Sequence, residues 1–401
     1  MIPAVGFMAS GWSGGVSRPH MLANIPSEAC AIVDVVNEFL KDSPTASYDS
    51  KAHRGLWRVL TIRTSRRTQE CMVIIMHAPP SGGLGAKDKT DDYSQVFESE
   101  KARLVSMLTD REIVVPERDY KVSKKGENGE ILKTDDDTRG MSESPTRIKV
   151  TSVFFQEFEG VSNPPPEHPV QHAYGKTSIQ EKLGKCIFQI SPGAFFQVNT
   201  EGSETLYDQV LAKVKEVSPN PKDTLLLDVC CGTGTIGQYC MKEGAVGRVV
   251  GVDISEPAIA DAKINAEING FASSDDSQPF DRTRFIAARA EDVLAKELKK
   301  ESTTTNVIAV VDPARDGLHS DVLKTLRMKE KIQRVVYVSC NPIGSLVRDS
   351  GLLCAPPTKR YPGRPYYPST AQPVDMFPLT PHCEMVMTFD RLPEQSDKKE
   401  C

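Results

Sequence analysis

Cys340 sits in the string Tyr337-Val338-Ser339-Cys340-Asn341-Pro342. The apolar run Val335 to Val338, approached through Lys331 and Arg334, predicts a buried strand of a parallel sheet. In open α/β sheets, chemistry gathers where strands end and loops begin. Proline cannot extend a strand ladder, so the chain turns away at Pro342 and leaves the sulfur at the rim. A thiol so placed can act as a nucleophile. A buried structural cysteine is the commoner fate of this residue type, and the flanking Asn-Pro weighs against it here. A free thiol has a pKa of about 8.5, so something must activate it at neutral pH.

A second apolar run, Leu225 to Leu227, leads through Asp228 into Val229-Cys230-Cys231-Gly232-Thr233-Gly234-Thr235-Ile236-Gly237. Glycine lets the backbone pass close to a ligand, because no side chain intervenes. The strand Val249 to Val252 then ends on Asp253. An acid closing the second strand of a Rossmann-type unit can accept hydrogen bonds from ribose hydroxyls. Read over Cys231 to Thr235, the turn is C-G-T-G-T, which at that length departs from the dinucleotide fingerprint and offers no third glycine. That favours a nucleoside cofactor without phosphates, S-adenosylmethionine.

Two further strands fit this scheme. Arg284 to Ala288 leads to Arg289-Ala290-Glu291-Asp292, and Val307 to Val311 leads to Asp312-Pro313-Ala314-Arg315. Asp292 is either an adenine-side contact or an acid at a helix start. Asp312 is expected in the same crevice as Cys340, since an acid there is costly without a partner.

Residues 186 to 391 resemble the catalytic domain of the RNA uracil-C5 methyltransferases. The matching strings are Ile190-Ser191-Pro192-Gly193-Ala194-Phe195-Phe196-Gln197-Val198-Asn199, Asp228 to Gly237, Asp312 to Gly317, Ser339 to Pro342, and Phe377-Pro378-Leu379-Thr380-Pro381-His382-Cys383-Glu384. Within that family the chain is most similar to the animal tRNA (uracil-5-)-methyltransferase A type, which carries C-C-G-T-G-T-I-G. The resemblance implies that Cys340 is the nucleophile and Glu384 the base. It implies cofactor contacts from Gln197, Asp253 and Asp312, with the turn Gly232, Thr233 and Thr235 and the strand-end Asp228 around them.

The chemistry is self-consistent. C5 of uracil is a poor nucleophile, and a thiolate added at C6 turns the ring into an enolate that can be methylated at C5. The C5 proton must then leave so that the thiolate can be eliminated. That division of labour needs a thiol and a nearby base, and Glu384 is expected to supply the base from a neighbouring antiparallel strand starting near Met385. Asp312 could orient the uracil edge or help with the proton.

Composition fits this picture. The chain has 401 residues, 39% hydrophobic, enough for two or three domains. Its 10 cysteines include no C-x-x-C, which argues for a reducing compartment and against disulfides, a metal site or an iron–sulfur cluster. No signal-peptide pattern or membrane-length apolar run is seen. An intracellular location is expected, cytoplasmic or nuclear with mitochondrial not excluded, and a monomer. Net charge is −5, so any nucleic-acid contact must come from a local patch.

Such a patch lies upstream, where Lys51, Arg54, Arg58, Arg63, Arg66 and Arg67 face only Glu70 in charge. The alternation Trp57 to Arg63 followed by Val73 to Met76 predicts a β-hairpin, with Arg63, Arg66 and Arg67 offered to RNA phosphates. A solvated strand face is the alternative. Glu28 to Leu40 has helical spacing. Residues 81–147 read as a polar insert holding one amphipathic stretch, Phe97 to Leu108, and mobile from Ser123 to Thr146. Animal relatives carry an RNA-recognition module ahead of this region, and this chain shows no RNP aromatic pattern.

The expected fold is therefore α/β, a Rossmann-like class I S-adenosylmethionine-dependent methyltransferase domain over 185–401. A smaller α+β RNA-binding region over 1–184 precedes it. The sheet order is expected to be 3-2-1-4-5 plus the antiparallel strand. The expected activity is methylation of uracil C5 in structured RNA, the T-loop uridine of tRNA (m5U54) first. Two rivals stand: a methyltransferase acting on an exocyclic amine, cytosine C5 or another RNA, and a non-catalytic tRNA-binding or folding protein. Asp253→Ala is expected to weaken cofactor binding with little loss of fold.

Overall fold

The computed structural model describes residues 5–8, 16–49, 54–81, 92–115, 124–125, 131–132, 146–160, 164–165, 168–271 and 282–392. Lys51 and most of the segment expected to be mobile, Ser123 to Thr146, lie outside these residues. The chain divides into two compact units, Met1–Ile179 and Gln180–Cys401.

The first unit is built on a four-stranded sheet. Its strands are β1 (Trp57–Ser65), β2 (Glu70–His77), β3 (Ser152–Glu157) and β4 (Gln171–Gly175), in the order β4-β3-β2-β1. β1 and β2 form the expected antiparallel hairpin, and β2 pairs in parallel with β3. Helices α1 (Ser27–Asp42) and α2 (Phe97–Thr109) replace the two stretches of helical spacing. Their apolar stripes, Ile32, Phe39, Leu104 and Leu108, pack with Trp57, Val73, Ile75 and Phe155 in one buried cluster.

A two-stranded sheet of β5 (Ile179–Leu183) and β6 (Cys186–Ile190) starts on the last residue of the first unit and leads into the second. The main sheet of the second unit has seven strands. Five are β7 (Thr224–Val229), β8 (Arg248–Asp253), β9 (Thr283–Ala287), β10 (Asn306–Val311) and β11 (Ile332–Ser339). They run parallel in the order β9-β8-β7-β10-β11, the expected 3-2-1-4-5. The central strands β7 and β10 are short and almost wholly buried, as strands covered on both faces must be, while β9 at the edge exposes Arg284.

The helices α3 (Thr200–Lys215), α4 (Thr235–Lys242), α5 (Glu256–Ile268), α6 (Ala290–Lys299), α7 (Ser320–Met328) and α8 (Ser345–Cys354) accompany the sheet. Two apolar clusters, one containing Leu226, Val249 and Val336 and the other Leu227, Val250 and Val335, reflect the alternation of side chains along the strands.

Two antiparallel strands complete the sheet. β13 (Glu384–Arg391) lies beside β11, and β12 (Tyr366–Val374) lies outside it. β13 was expected from Met385; β12 was not expected at all. Pro368 and Pro373 break its pattern, and an edge strand tolerates them because one side needs no ladder donors. Arg334 on β11 fixes the β11–β13 register, donating to both oxygens of Asp390 at 2.6 and 2.9 Å and to Glu216 at 2.7 Å.

Candidate active site

The glycine-rich turn grows out of β7. Asp228 is fully buried, and its Oδ2 accepts the Gly237 amide at 2.9 Å, while Oδ1 has no partner. The carboxylate therefore anchors the start of α4 from beneath. Cys230 takes a left-handed backbone, φ 61°, a conformation that costs a residue with a Cβ and tends to persist at functional turns. Gly232 follows at φ 53°, and a Cβ there would meet nothing within 4 Å. The turn thus opens onto free space along a bare backbone.

Gly237 corrects the sequence-based reading of this turn. With Gly232 and Gly234 it completes a G-x-G-x-x-G spacing, so glycine count does not separate a nucleoside from a dinucleotide. Its part is packing: a Cβ there would lie 2.7 Å from Val249 Cγ1 and 2.9 Å from Asp228 Oδ2. Charge makes the distinction instead. Asp253, Asp312, Asp228 and Glu291 all act on Cys230 in the turn, and carboxylates so placed oppose a pyrophosphate and favour a cationic group.

Asp253 stands at the end of β8, half-buried. Its Oδ2 accepts the Gly232 amide at 2.9 Å and its Oδ1 the Ser255 amide at 2.9 Å. A carboxylate oxygen has a second lone pair, so both can still take hydroxyl donors. Asp292 sits exposed in the first turn of α6. Thr233 is buried, and the Thr235 hydroxyl is 3.1 Å from the Tyr207 hydroxyl of α3. The Gln197 loop is held at both ends: Ser191 donates to Asp261 at 2.6 Å, and Asn199 caps α3 by accepting from Gly202 at 2.9 Å. Phe195 and Val198 in that loop are largely exposed.

The two expected catalytic residues, Cys340 and Glu384, come from neighbouring chain segments at the end of β11 and the start of β13. The antiparallel register pairs Ser339 with Met385, and one step further brings Cys340 opposite Glu384. Cys340 lies half-buried at the rim, and Glu384 is buried with its Oε2 unpartnered. A buried carboxylate oxygen without a donor is costly, and burial pushes Glu384 up to about 7, with Arg315 opposing. Asp312 is raised well above the usual carboxylate range by burial, then by Glu384 and Asp228. Burial, then Glu384 and Asp312, also raise the Cys340 thiol, while Arg315 lowers it.

Loop tethers hold these groups. Asn341 donates through Nδ2 to the Arg315 carbonyl at 3.1 Å. Buried Asp349 of α8 accepts from Tyr337 at 2.7 Å and from the Leu318 amide at 2.8 Å. The loops after β10 and β11 are thus one hydrogen-bonded assembly. Sequence reasoning attached no role to Arg315 or Asn341, although both stood in the quoted strings.

The basic patch of the first unit looks different from its sequence. Arg66 is spent on Glu28, with bonds of 2.6 and 2.8 Å, and Arg63 is half-buried in β1 with its pKa lowered by burial. Arg58 donates to the carbonyls of Phe158 and Gly160. Arg67 lies exposed in the hairpin turn.

Comparison with known proteins adds the family. Residues 220–336 match the family described as Methyltransferase domain. The chain is 33% identical over 397 residues to tRNA (uracil-5-)-methyltransferase homolog A of Mus musculus, covering 97% of this chain and 54% of that relative. It is 32% identical over 393 residues to homolog B of Pongo abelii, covering 96% of this chain and 69% of the relative. The chain belongs to the tRNA (uracil-5-)-methyltransferase family. It spans about half the length of the homolog A relatives it matches. The crystal structure of Pyrococcus abyssi tRNA (uracil-54, C5)-methyltransferase, in complex with S-adenosyl-L-homocysteine, superposes with a TM-score of 0.56 at 23% identity, covering 90% of this chain and 66% of that one. This likeness establishes the fold of a tRNA (uracil-5-)-methyltransferase family member as a Rossmann-like methyltransferase fold.

Proposed function

We propose that this protein methylates C5 of a uracil in tRNA, the T-loop uridine at position 54 first, through a covalent adduct between Cys340 and uracil C6. The observation that carries the reading is the β11–β13 register, which ends on Ser339 opposite Met385 and sets Cys340 within the field of Glu384, while Asp312 acts on both that sulfur and Cys230 of the turn. A thiol and an unpartnered buried carboxylate are what addition at C6 and proton loss at C5 require.

S-adenosylmethionine suits the crevice. Asp253 would accept from its ribose hydroxyls, Asp312 would complement its positive charge, and the bare backbone at Gly232 would leave room for its adenosine. Gln197, Thr233, Thr235 and Asp292 complete the proposed contact set, with Asp228 bracing the turn from below. When bound, the cofactor supplies the electrophilic methyl that C5 takes.

The residues of the chain do the rest. The Cys340 thiolate adds to C6, and the ring electrons move onto the C4 oxygen as an enolate. After C5 is methylated, Glu384 takes its proton. The C5–C6 double bond re-forms and the thiolate leaves. The target base must come out of its stack to reach the sulfur. Nucleophile, base and cofactor crevice all come from one chain, so a monomer suffices. Incubation with labelled S-adenosylmethionine and unmodified tRNA, then nucleoside analysis, tests the reading; label in any nucleoside other than 5-methyluridine overturns it.

Asp253→Ala lowers cofactor affinity by about 2–4 kcal/mol through two lost charge-assisted hydrogen bonds. It also lowers Tm, because the Gly232 and Ser255 amides lose their acceptor. This differs from the fold-neutral outcome expected from sequence. Unchanged affinity by titration calorimetry takes Asp253 out of the site.

The Arg63, Arg66 and Arg67 group is proposed as a phosphate contact. The triple Ala variant weakens tRNA binding and flattens its log–log salt dependence by up to about 0.7–0.9 per lost contact. Because Arg66 is already paired with Glu28 and Arg63 is half-buried, the fall is expected below that of three contacts. An unchanged slope makes the hairpin a solvated face.

A further inference from the structure

A thiol raised by burial beside two carboxylates is poorly prepared to add to uracil, and nothing so far accounts for its ionisation. The groups that bear on Cys340 are Glu384 from β13 and Asp312 and Arg315 from the loop after β10. The loop Asp312-Pro313-Ala314-Arg315 is fixed in place. Asn341, the residue next to Cys340, donates to the Arg315 carbonyl at 3.1 Å; Arg348 donates to the Asp316 carbonyl at 2.7 Å; Leu318 donates to Asp349.

The tether holds the backbone and leaves the guanidinium uncommitted. Arg315 is exposed, and among the described residues no hydrogen bond or ion pair engages its side chain. The other arginines of this region are taken: Arg348 is paired with Asp349 and Arg334 with Asp390. Arg315 is thus held beside Cys340 by its main chain, and its charge acts on Cys340 and Glu384 rather than in a structural ion pair.

We propose that Arg315 is the positioning residue that keeps Cys340 reactive, its guanidinium stabilising the thiolate after the thiol proton has passed to water. The inference rests on the proposed covalent mechanism for its purpose, but not for its measurement. Asp312 and Glu384 oppose Arg315 at the sulfur. Arg315 also lowers the Glu384 carboxyl, so one cation serves both nucleophile and base.

The test needs neither RNA nor cofactor. The full chain is alkylated with iodoacetamide across pH, and modification of the Cys340 peptide is followed by mass spectrometry. Thiolate alone reacts, so the rate traces its ionisation. Arg315→Ala moves the midpoint up by about one pH unit, slowing alkylation about tenfold below it. Arg315→Lys keeps the charge and restores most of the rate. Two results overturn the inference: an unmoved midpoint in Arg315→Ala, or an equal shift in Arg315→Lys. Because no hydrogen bond or ion pair of the side chain is lost among the described residues, the Ala variant is expected to fold, and its circular dichroism melt verifies this. A chain that makes 5-methyluridine with an unmoved midpoint sinks this inference alone. A chain showing the midpoint shift but no 5-methyluridine sinks the methylation reading alone.

Discussion

Cys340→Ala is expected to abolish 5-methyluridine formation, with a fall on the order of 10⁴-fold or more, the scale seen when a covalent nucleophile is removed. Without a thiolate at C6 the ring has no enolate, and C5 stays too poor a nucleophile to be methylated. No denaturant-stable RNA–protein species should appear on a gel. Cofactor affinity should hold, because the crevice at Gly232 and Asp253 is built from β7 and β8, not from the loop after β11. A variant that still methylates tRNA at a comparable rate would remove Cys340 from the mechanism.

Glu384→Gln should fail later and differently. The thiolate, the turn and the cofactor contacts remain, so addition and methylation can proceed. Elimination then stalls, because the C5 proton has no acceptor. The expected result is a stable adduct between Cys340 and RNA, together with a loss of turnover of about 10²–10⁴-fold. The wild-type pH profile supplies a second reading. With Glu384 raised to about 7, the base is protonated and inactive below that value, so the elimination rate rises with pH through about 7 and falls about tenfold per unit well below it. Glu384→Gln should lose this limb. If it turns over normally without an adduct, another acceptor, Asp312 first, takes the proton.

Much of this site could be read from residue order because the fold makes strand ends into a site. The runs Leu225 to Leu227, Val249 to Val252, Val307 to Val311 and Val335 to Val338 are short, apolar and rich in β-branched residues or bounded by turn signals, as buried parallel strands are, and each leads into a candidate site residue. Three things were not legible. β12 is disguised by Pro368 and Pro373, which only an edge permits. The employment of Arg66 on Glu28 depends on α1 packing beside the hairpin, a long-range contact invisible to charge counting. The opposition of Arg315 to the carboxylates at Cys340 depends on a carbonyl tethered by Asn341, and no residue-type pattern announces a main-chain acceptor. The third glycine, Gly237, was legible and misread, since its packing against Val249 serves the helix rather than a ligand.

The antiparallel strand that carries Glu384 also sets an order of events in the life of the chain. β7 to β10, with the turn and Asp253, emerge from the ribosome first, and β13 comes last among the strands of this sheet. A nascent chain can therefore build the crevice for a nucleoside before it can remove a proton from a base. Asp312 is in place beside the sulfur of Cys340 earlier, but Glu384 arrives only when β13 has inserted between β11 and β12. An incomplete chain that met RNA would hold half of a covalent machine, able to attach but not to let go. On the proposed mechanism, late insertion of Glu384 would make synthesis through Arg391 a condition for safe contact with substrate.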